Sequence, residues 1–371
     1  MPWRINADPY RIWLSEIILQ QTQVKQGMPY FYKFIESFPS VGDMANASED
    51  ELLKLWQGLG YYSRARYMHQ TAKHIHFELN GVFPADYNNL LKLKGVGEYT
   101  AAAIASISYN EPVAVLDGNV IRVLSRLFEI QESFQSASGL KILKQTAFEV
   151  LNKVKPGKHN QAMMELGSLI CKPLQPLCNI CPISAHCLAL KNNTILNFPI
   201  KKKKLITKCR YLNFIVPVLN ADKTLLTKRL GDDIWKNMYT FPCIESMQEW
   251  SADQLCSKLS ERNYSIQVEL NEVTRFKHIL SHRTIFASFF YIKVNKPSDL
   301  KKLVMSLLDD KLNEVNEDPV ILNKQKFIRL EKSNIFEVDL KELNTIYPLP
   351  RVITKYLETK EWNHNLNQKC L

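Results

Sequence analysis

The chain has 371 residues, 46% of them hydrophobic, and a formal net charge of +11. This length can bury a large core without disulfide staples and suggests two or three domains. The basic balance favours a polyanionic partner over a small neutral substrate, although a merely soluble basic protein would have the same charge. The opening MPWRINADPYRIW lacks the apolar region of a signal peptide, and no later stretch is long and apolar enough to cross a bilayer. We therefore expect no membrane partner and a cytoplasmic location, associated with the nucleoid if the source is bacterial.

The first half of the chain has a helical pattern. Apolar residues recur at helical spacing in five segments: RIWLSEIILQQ, MPYFYKFIESF, EDELLKLWQGL, RARYMHQTAKHIHFEL and KILKQTAFEVLNKV. Asp8-Pro9 predicts a helix N-cap followed by proline in the first turn, and Ser48 with Glu51 predicts a capping box. Residues 1–197 are therefore predicted to form an all-α domain.

The pattern changes after a short basic connector, 198–208. Its run Lys201–Lys204 is interpreted as a solvated linker, with a phosphate contact or a nuclear signal as alternatives. Beyond it, YLNFIVPVL and TLLTKRL flank the polar NADK, which predicts a β-hairpin, and TIFASFFYIKV has a β-rich composition. Three further helices are predicted, at 252–262, 298–312 and 349–358. Residues 209–371 are therefore predicted to form a smaller α+β domain.

Four of the eight cysteines lie within CKPLQPLCNICPISAHC, with the spacing C-x6-C-x2-C-x5-C. These are Cys171, Cys178, Cys181 and Cys187. A disulfide framework would suit a small secreted domain, which this chain is not. Prolines stiffen the loop, so four thiolates can converge without regular structure between them. The spacing predicts a metal site, and it is equally compatible with zinc and with an iron–sulfur cluster.

A glycine turn lies in LLKLKGVGEYTAAAIASI, where Gly95-Val96-Gly97 separates two predicted helices. Glycine permits positive φ and a close approach to the backbone, and the N–H groups of the following helix then point at an anion. An ordinary helical hairpin closed by glycine gives the same pattern. In a basic chain the turn favours contact with a DNA phosphate.

Two carboxylates stand out. Glu16 lies among Ile12, Trp13 and Leu19 at helical contact spacing, and an apolar setting raises a carboxyl pKa, as a proton donor near neutral pH requires. A glutamate at the surface boundary of a helix is the alternative. Asp117 precedes the helix GNVIRVLSRLF and would be a good N-cap, or an ionised group that stabilises a developing cation. One protonated and one ionised carboxyl is the arrangement that cleaves a glycosidic bond.

The order of these motifs is distinctive. Along the chain they are WLSEIILQQTQV, LKGVGEYTA, LDGNVIRVL, NQAMMELGSLIC and the four-cysteine spacing. In this order they resemble the helix-hairpin-helix glycosylases that carry a [4Fe–4S] cluster and, among them, the adenine DNA glycosylase (MutY) subfamily. The resemblance covers essentially all of 1–197 and, more weakly, the tail. It implies a [4Fe–4S] cluster on the loop 171–187 that stiffens a basic loop against DNA.

The resemblance also implies the chemistry. Glu16 matches the acid that protonates adenine, and Asp117 matches the carboxylate that stabilises the oxocarbenium ion, with Asn119 as support. Tyr99 occupies the position where endonuclease III-like relatives place a Schiff-base lysine, so a monofunctional glycosylase is expected. The implied substrate is double-stranded DNA with adenine opposite 8-oxoguanine or guanine, and the implied state is a monomer.

Further positions carry over as contacts. Gln21 matches the wedge that enters the base stack and Tyr61 its aromatic partner, while a polar helix end and a core-edge tyrosine are the alternatives. Trp3, Arg4 and Gln161 match positions around the flipped adenine. The resembled proteins usually carry a helix before the PWR segment, whereas Met1 directly precedes Pro2 here. We expect either a shortened start or an apolar groove that this helix does not cover.

The tail resembles the Nudix-like domain that reads 8-oxoguanine in this family. In RFKHILSHRT, Ser281 and His282 match the family's Phe-Ser-His stretch, and Leu280 replaces its phenylalanine. A Nudix hydrolase needs a glutamate-rich metal helix, and none follows Pro242. The tail is therefore predicted to recognise DNA without hydrolysing pyrophosphates.

Overall fold

The computed structural model of the chain describes residues 2–4, 6–201, 208–231, 233–260, 269–270, 273–280, 283–294, 296, 299, 303 and 334–367. The chain forms two compact units. The first consists of Met1–Ala47 and Tyr67–Leu205, and the second of Ser48–Arg66 and Ile206–Leu371. The helix predicted at 298–312 lies almost wholly outside the described residues, as do Ser281 and His282.

Helices make up the described regular structure up to residue 197. They are α1 Pro9–Leu19, α2 Val24–Ser37, α3 Val41–Asn46, α4 Glu49–Leu55, α5 Ser63–Lys73, α6 Tyr87–Leu90, α7 Glu98–Ser108, α8 Gly118–Leu127, α9 Ala137–Glu149, α10 Pro156–Glu165 and α11 Leu188–Lys191. Shorter or wider helical turns are Pro2–Arg4, His74–Glu78, Leu166–Ile170, Cys178–Ile180, Ser184–His186 and Ile195–Asn197. No described helix has the length and apolarity that crossing a membrane would require.

Local sequence signals explain where several helices begin. Asp8 accepts a hydrogen bond from the backbone N–H of Tyr10 at 3.0 Å, with Pro9 in the first turn of α1. Ser48 and Glu51 form both bonds of the predicted capping box at the start of α4. Each cap satisfies backbone N–H groups that the helix itself leaves without acceptors. These two predictions are confirmed.

The alanines of α7 allow close packing in the first unit. Ala101 to Ala105 of this helix are all buried, and the core on this side of the unit consists of Ala102, Ala103, Val115, Val120, Leu124, Ile130, Leu143, Ala147 and Met164. Buried Asn160 of α10 satisfies several polar groups in this core. Its amide donates to Ser106 Oγ at 2.9 Å and to Val113 O at 2.8 Å, and its oxygen accepts from Val115 N at 3.1 Å. Asn160 thereby fixes the extended segment that leads to Asp117.

The second unit contains a mixed sheet. Its strands are β1 Lys208–Leu219, β2 Lys223–Lys228, β3 Tyr239–Thr240, β4 Cys243–Ser246, β5 Glu269–Leu270, β6 Thr274–Ile279, β7 Arg283–Val294 and β8 Ile335–Asp339. The strand order is β3-β2-β1-β7-β5, with β4 paired to β1, β6 to β7 and β8 to β2. β1 and β7 run parallel from Lys208 opposite Arg283 to Leu219 opposite Val294, and the other pairs are antiparallel.

The predicted hairpin is confirmed, since Val218 pairs with Thr224 across the turn between β1 and β2. Helix α12 spans Ala252–Ser260, and two more helices, Arg351–Leu357 and Lys360–Asn367, follow the sheet. One apolar cluster in the core of this unit consists of Ile215, Leu219, Leu225, Ile244, Trp250, Leu255, Phe290, Ile292, Val294 and Leu303. The predicted fold class, an all-α domain followed by an α+β domain, is confirmed.

Candidate active site and cysteine loop

Glu16 projects from α1 into the interior of the first unit. Only 3% of the residue is exposed, and its neighbours Ile12 and Trp13 are completely buried. Tyr99, in the first turn of α7, donates its hydroxyl to Glu16 Oε2 at 2.5 Å and lies 3.6 Å from Met164 Sδ. Three helices, α1, α7 and α10, therefore meet around one buried carboxyl group. The surface-boundary alternative for Glu16 is wrong, because the side chain faces the core.

Asp117 has a polar setting instead. It is the N-cap of α8 and is half-buried, with Oδ1 accepting from the backbone N–H groups of Asn119 at 3.0 Å and Val120 at 2.7 Å. The side-chain amide of Asn119 donates to the other oxygen at 2.7 Å. These three hydrogen bonds fix the orientation of the carboxyl group. The capping interpretation of Asp117 is confirmed, and the cap leaves the carboxylate partly open to its surroundings.

Arg122 connects Asp117 to the start of the cysteine loop. Its guanidinium donates to Asn119 Oδ1 at 2.8 Å, to Gly167 O at 2.6 Å and to Cys171 O at 2.7 Å. Burial lowers the pKa of Arg122, which nevertheless remains a cation at neutral pH. The bonds form an uninterrupted path from Asp117 through Asn119 and Arg122 to Cys171. Sequence reasoning missed Arg122.

Arg126, one turn further along α8, holds the loop itself. Only 2% of it is exposed, and its guanidinium donates to the carbonyls of Ile195, Lys172 and Pro173 at 3.1, 2.8 and 2.8 Å. The same group lies 3.3 Å from the sulfur of Cys171. A buried cation therefore lies next to one of the four predicted metal ligands. Sequence reasoning missed this residue as well.

All four predicted cysteines are free thiols, half-exposed, and they line one cavity together with Arg126 and apolar side chains. Burial, followed by the other three thiols, raises the pKa of Cys178, and the charge of Arg126 acts in the opposite direction. In the part of the chain that the structure describes, no three His, Cys, Asp or Glu side chains converge on a point that would suit a single metal ion. The four thiols line a cavity and do not converge on the position of a single metal ion.

The glycine turn joins α6 to α7. Gly95 has a φ of +77°, and a Cβ there would lie 2.7 Å from Cβ of Tyr67, so only glycine fits. Gly97 adopts an extended conformation with a φ of −93°. Its exposed face is open, because a Cβ there would meet nothing within 4 Å. Glu98 follows in the first turn of α7 and pairs with Lys144 at 2.7 Å.

Gln21 and Tyr61, the two predicted wedge residues, share an unusual backbone. Their φ angles are +56° and +48°, in the left-handed region that non-glycine residues rarely adopt. Gln21 is exposed just beyond α1, and 43% of Tyr61 is exposed between α4 and α5. Strained backbone conformations cluster at functional sites, so these φ angles favour a functional role independently of the sequence resemblance.

The residues predicted around the adenine have mixed settings. Trp3 is 2% exposed and packs edge-on against Phe31, with 5.1 Å between ring centroids. Arg4 lies in the same N-terminal turn, Pro2–Arg4, and Gln161 is half-buried on α10, three residues before Met164. In the tail, the described Leu280 donates its N–H to Arg283 O at 2.8 Å.

Comparison with known proteins agrees with this architecture. Residues 14–147 match the HhH-GPD superfamily of base excision DNA repair proteins, and residues 215–359 match the NUDIX domain. An adenine DNA glycosylase from Buchnera aphidicola subsp. Baizongia pistaciae (strain Bp) is 38% identical over 300 residues, covering 80% of this chain and 83% of the relative. A second one, from Buchnera aphidicola subsp. Acyrthosiphon pisum (strain APS), is 34% identical over 294 residues, covering 76% and 80%.

Among solved structures, a thermostable thymine-DNA glycosylase matches 52% of this chain and 88% of its own, with 27% identity and a TM-score of 0.46. Each of the two curated relatives matches at least three quarters of this chain and at least four fifths of its own length. The chain therefore belongs to the adenine DNA glycosylase family and is a DNA N-glycosylase of base excision repair whose partner is DNA.

Proposed function

We propose that the protein removes adenine paired with 8-oxoguanine or guanine by hydrolysing the N-glycosidic bond, and that it leaves the DNA strand intact. The observation that carries this proposal is the contrast between two carboxyl groups in the first unit. Glu16 is buried among apolar side chains beside Tyr99, and Asp117 is held in a polar cap. Two carboxyl groups in such different settings suit one acid and one ionised stabiliser.

The proposed mechanism uses these groups in turn. Glu16 donates its proton to a ring nitrogen of the flipped adenine, so that the base leaves as a neutral molecule. The bond between base and sugar then breaks with its electron pair on the base, and the fixed charge of Asp117 stabilises the oxocarbenium-like sugar. Water attacks the sugar carbon and gives up a proton to the solvent, which completes an abasic site. The bond from Tyr99 orients the Glu16 carboxyl throughout.

Residue 99 also bears on the fate of the strand. A glycosylase that cuts DNA uses an amine that forms a Schiff base with the sugar, and a tyrosine hydroxyl cannot do so. Tyr99 is moreover engaged with Glu16 and Met164. This supports a monofunctional enzyme.

We further propose that the loop 171–187 holds a [4Fe–4S] cluster with Cys171, Cys178, Cys181 and Cys187 as ligands. Thiols arranged around a cavity fit a multi-iron cluster better than a single zinc ion, and the cation of Arg126 offsets the charge of the thiolates. When bound, the cluster would serve to stiffen the loop. The chain's own contribution is the set of carbonyl bonds through which Arg126 fixes the loop to α8.

We also propose which residues contact DNA. Gly95 and Gly97 would bring the start of α7 to a phosphate, Gln21 and Tyr61 would fill the stack left by the flipped base, and Trp3, Arg4 and Gln161 would surround the adenine. The C-terminal domain, 209–371 after the linker 198–208, would read the opposite base through Ser281 and His282. The domain 1–197 would carry the chemistry, in a monomeric protein.

The test uses duplexes with adenine opposite 8-oxoguanine, guanine or thymine, each analysed with and without hot alkali. We expect breaks only after alkali, fastest opposite 8-oxoguanine. Glu16→Gln should slow excision by at least about 100-fold while DNA binding persists, whereas the exposed Glu36→Gln serves as the control. Breaks without alkali would indicate a lyase, and no breaks at all would indicate a binding protein.

The cluster has an independent test in the purified protein. Visible absorption and about four irons per chain are expected, and Cys178→Ser should lose both. Cys209→Ser, which changes an exposed thiol in the second unit, should keep both. A colourless protein that contains zinc would contradict the assignment.

A further inference from the structure

The segment Ser48–Arg66 groups with one part of the chain in sequence and with another part in structure. In sequence it lies inside the stretch 14–147 that matches the base excision repair superfamily. In structure it belongs to the second unit, with Ile206–Leu371 and therefore with the NUDIX match at 215–359. The segment carries Tyr61 at a strained and partly exposed position. The question is what holds this tyrosine.

The start of α4 is bound to the sheet by a cluster of polar contacts. Both oxygens of Asp50 accept from Lys228 Nζ, at 2.9 and 3.0 Å, and the Tyr239 hydroxyl donates to Oδ2 at 3.0 Å. Glu49 accepts from the amide of Asn237 at 2.7 Å. Lys228 also lies 5.0 Å from the centre of the Tyr239 ring. Asp50 is the centre of this cluster, because it binds β2 and β3 at once.

The end of α4 and the start of α5 are bound as well. Lys54 Nζ donates to Asn344 O at 2.6 Å and to Tyr347 O at 3.0 Å. Arg66 donates to Lys236 O at 2.9 Å. The chain on both sides of Tyr61 is therefore fastened to the C-terminal part of the second unit.

Between these anchors a short loop presents Tyr61. Buried Trp56 donates its indole N–H to Gly60 O at 3.0 Å, and Arg64 donates to the same carbonyl at 3.2 Å. The guanidinium of Arg64 lies 4.9 Å from the Trp56 ring centre and 5.7 Å from that of Tyr61. Gly60 has a φ of +74°, which lets the chain turn so that Tyr61 emerges. The loop has little freedom as long as both anchors hold.

We propose that Asp50 is a positioning residue through which the C-terminal sheet sets the place of Tyr61 on DNA. Recognition of the opposite base and stacking by Tyr61 then both depend on the second unit. The sheet therefore affects the choice of substrate through Asp50. This inference rests on the proposed function in that it takes 8-oxoguanine as the base recognised and Tyr61 as a stacking residue. It adds a residue, Asp50, that touches neither base.

The test compares single-turnover excision of adenine opposite 8-oxoguanine and opposite guanine at saturating enzyme. Asp50→Ala, and Lys228→Gln from the other side of the link, should reduce the ratio of the two rates about fivefold. A general loss of folding would lower both rates together and leave the ratio unchanged. Glu337→Gln is the matched control, because it removes a salt bridge of the same length, 2.9 Å, at the other end of β2.

A second measurement tests the position of the loop without DNA. Hydrogen exchange of residues 56–62 in the free protein should accelerate in Asp50→Ala and stay unchanged in Glu337→Gln. In addition, Asp50→Ala should have no further effect on the rate ratio when Tyr61→Ala is already present.

The outcomes separate the inference from the proposed function. If the wild type prefers 8-oxoguanine and Asp50→Ala keeps both that preference and slow exchange, the inference is wrong and the proposed function stands. If the wild type treats both duplexes alike, 8-oxoguanine recognition fails, and exchange alone decides whether Asp50 positions the loop. Unchanged exchange would overturn the inference in that case too.

Discussion

At the scale of single residues, the most informative contact is the one between Tyr99 and Glu16. A carboxyl group with 3% exposure is costly to keep in an apolar core unless a polar partner meets it. Tyr99 provides that partner from another helix, 83 residues along the chain. The residue on which the proposal of a monofunctional enzyme rests is thus also the one that donates a hydrogen bond to the proposed acid.

We predict that Tyr99→Phe slows adenine excision about tenfold, a smaller loss than that of Glu16→Gln. The ring still fills its place in the core, but the Glu16 carboxyl loses the bond that orients it, and a misplaced proton donor transfers less efficiently. Single-turnover rates on the 8-oxoguanine duplex measure the effect.

Tyr109→Phe is the control for this variant. It removes another tyrosine hydroxyl, which donates to Phe83 O at 3.2 Å from the residue that ends the same helix. This change should leave the rate nearly unaltered. A rate for Tyr99→Phe equal to that of the wild type would show that Glu16 needs no orienting bond.

At the scale of elements, α8 joins the proposed chemistry to the cysteine loop. Asn119, Arg122 and Arg126 are spaced by three and four residues, which places them on one face of the helix. That face begins at the cap formed by Asp117 and ends at the sulfur of Cys171. The spacing was visible in GNVIRVLSRL, yet it is also the spacing of an ordinary polar face. Only the hydrogen-bond partners of the Arg122 and Arg126 guanidinium groups distinguish this functional face from an ordinary polar face.

We predict that Arg122→Lys lowers both iron content and excision. A lysine ammonium cannot reproduce the planar fork that reaches Asn119, Gly167 and Cys171 together. The loop would then hold its cluster less firmly, and Asp117 would lose part of its support. Iron per chain and excision per iron are measured on the same preparation.

The control for Arg122→Lys is Lys172→Gln, which removes an exposed charge from the loop without touching the fork. Iron content should stay at the wild-type level there. If Arg122→Lys kept the wild-type iron content and the wild-type excision rate per iron, the hydrogen-bonded path from Asp117 to Cys171 would have no role in function.

The sequence predicted those helix caps and turns whose interaction partners lie close together along the chain. The caps at Asp8 and Ser48 and the hairpin between β1 and β2 were predictable because their partners lie a few residues away. The parallel pairing of β1 with β7 and the role of Asn160 depend on distant partners, which periodicity cannot show. The grouping of Ser48–Arg66 with the second unit belongs to the same class.

At the scale of the whole molecule, the second unit contains a buried network of charges. Arg210 binds Glu245 through two nitrogens, at 2.7 and 2.8 Å, and Asp233 through a third at 2.9 Å. Arg229, which is 2% exposed, also donates to Asp233. Burial alone would raise the pKa of the Asp233 carboxyl, but Arg229 and Arg210 hold that pKa at about 2. The stability of this unit therefore depends on pH in the acid range.

We predict that Asp233→Asn lowers the free energy of unfolding at pH 7 by about 3 kcal/mol, because two buried guanidinium groups lose their shared carboxylate. The folded pKa lies below the ordinary value of 3.8, so the wild type keeps this contribution above 3.8 and loses it as the pH falls towards about 2. The difference between variant and wild type should shrink across that window. Urea unfolding followed by circular dichroism at several pH values measures it.

The control for this prediction is Glu358→Gln, which breaks the pair between Arg351 and Glu358 in the same unit. Both side chains of that pair are exposed, at 42% and 59%, so water and salt screen its charges and little stability depends on it. The control should follow the wild type at every pH. If Asp233→Asn instead differed from the wild type by the same amount from pH 7 down to pH 2, the carboxylate would not be the group that links acid to unfolding. The loss would then come from packing around Arg229.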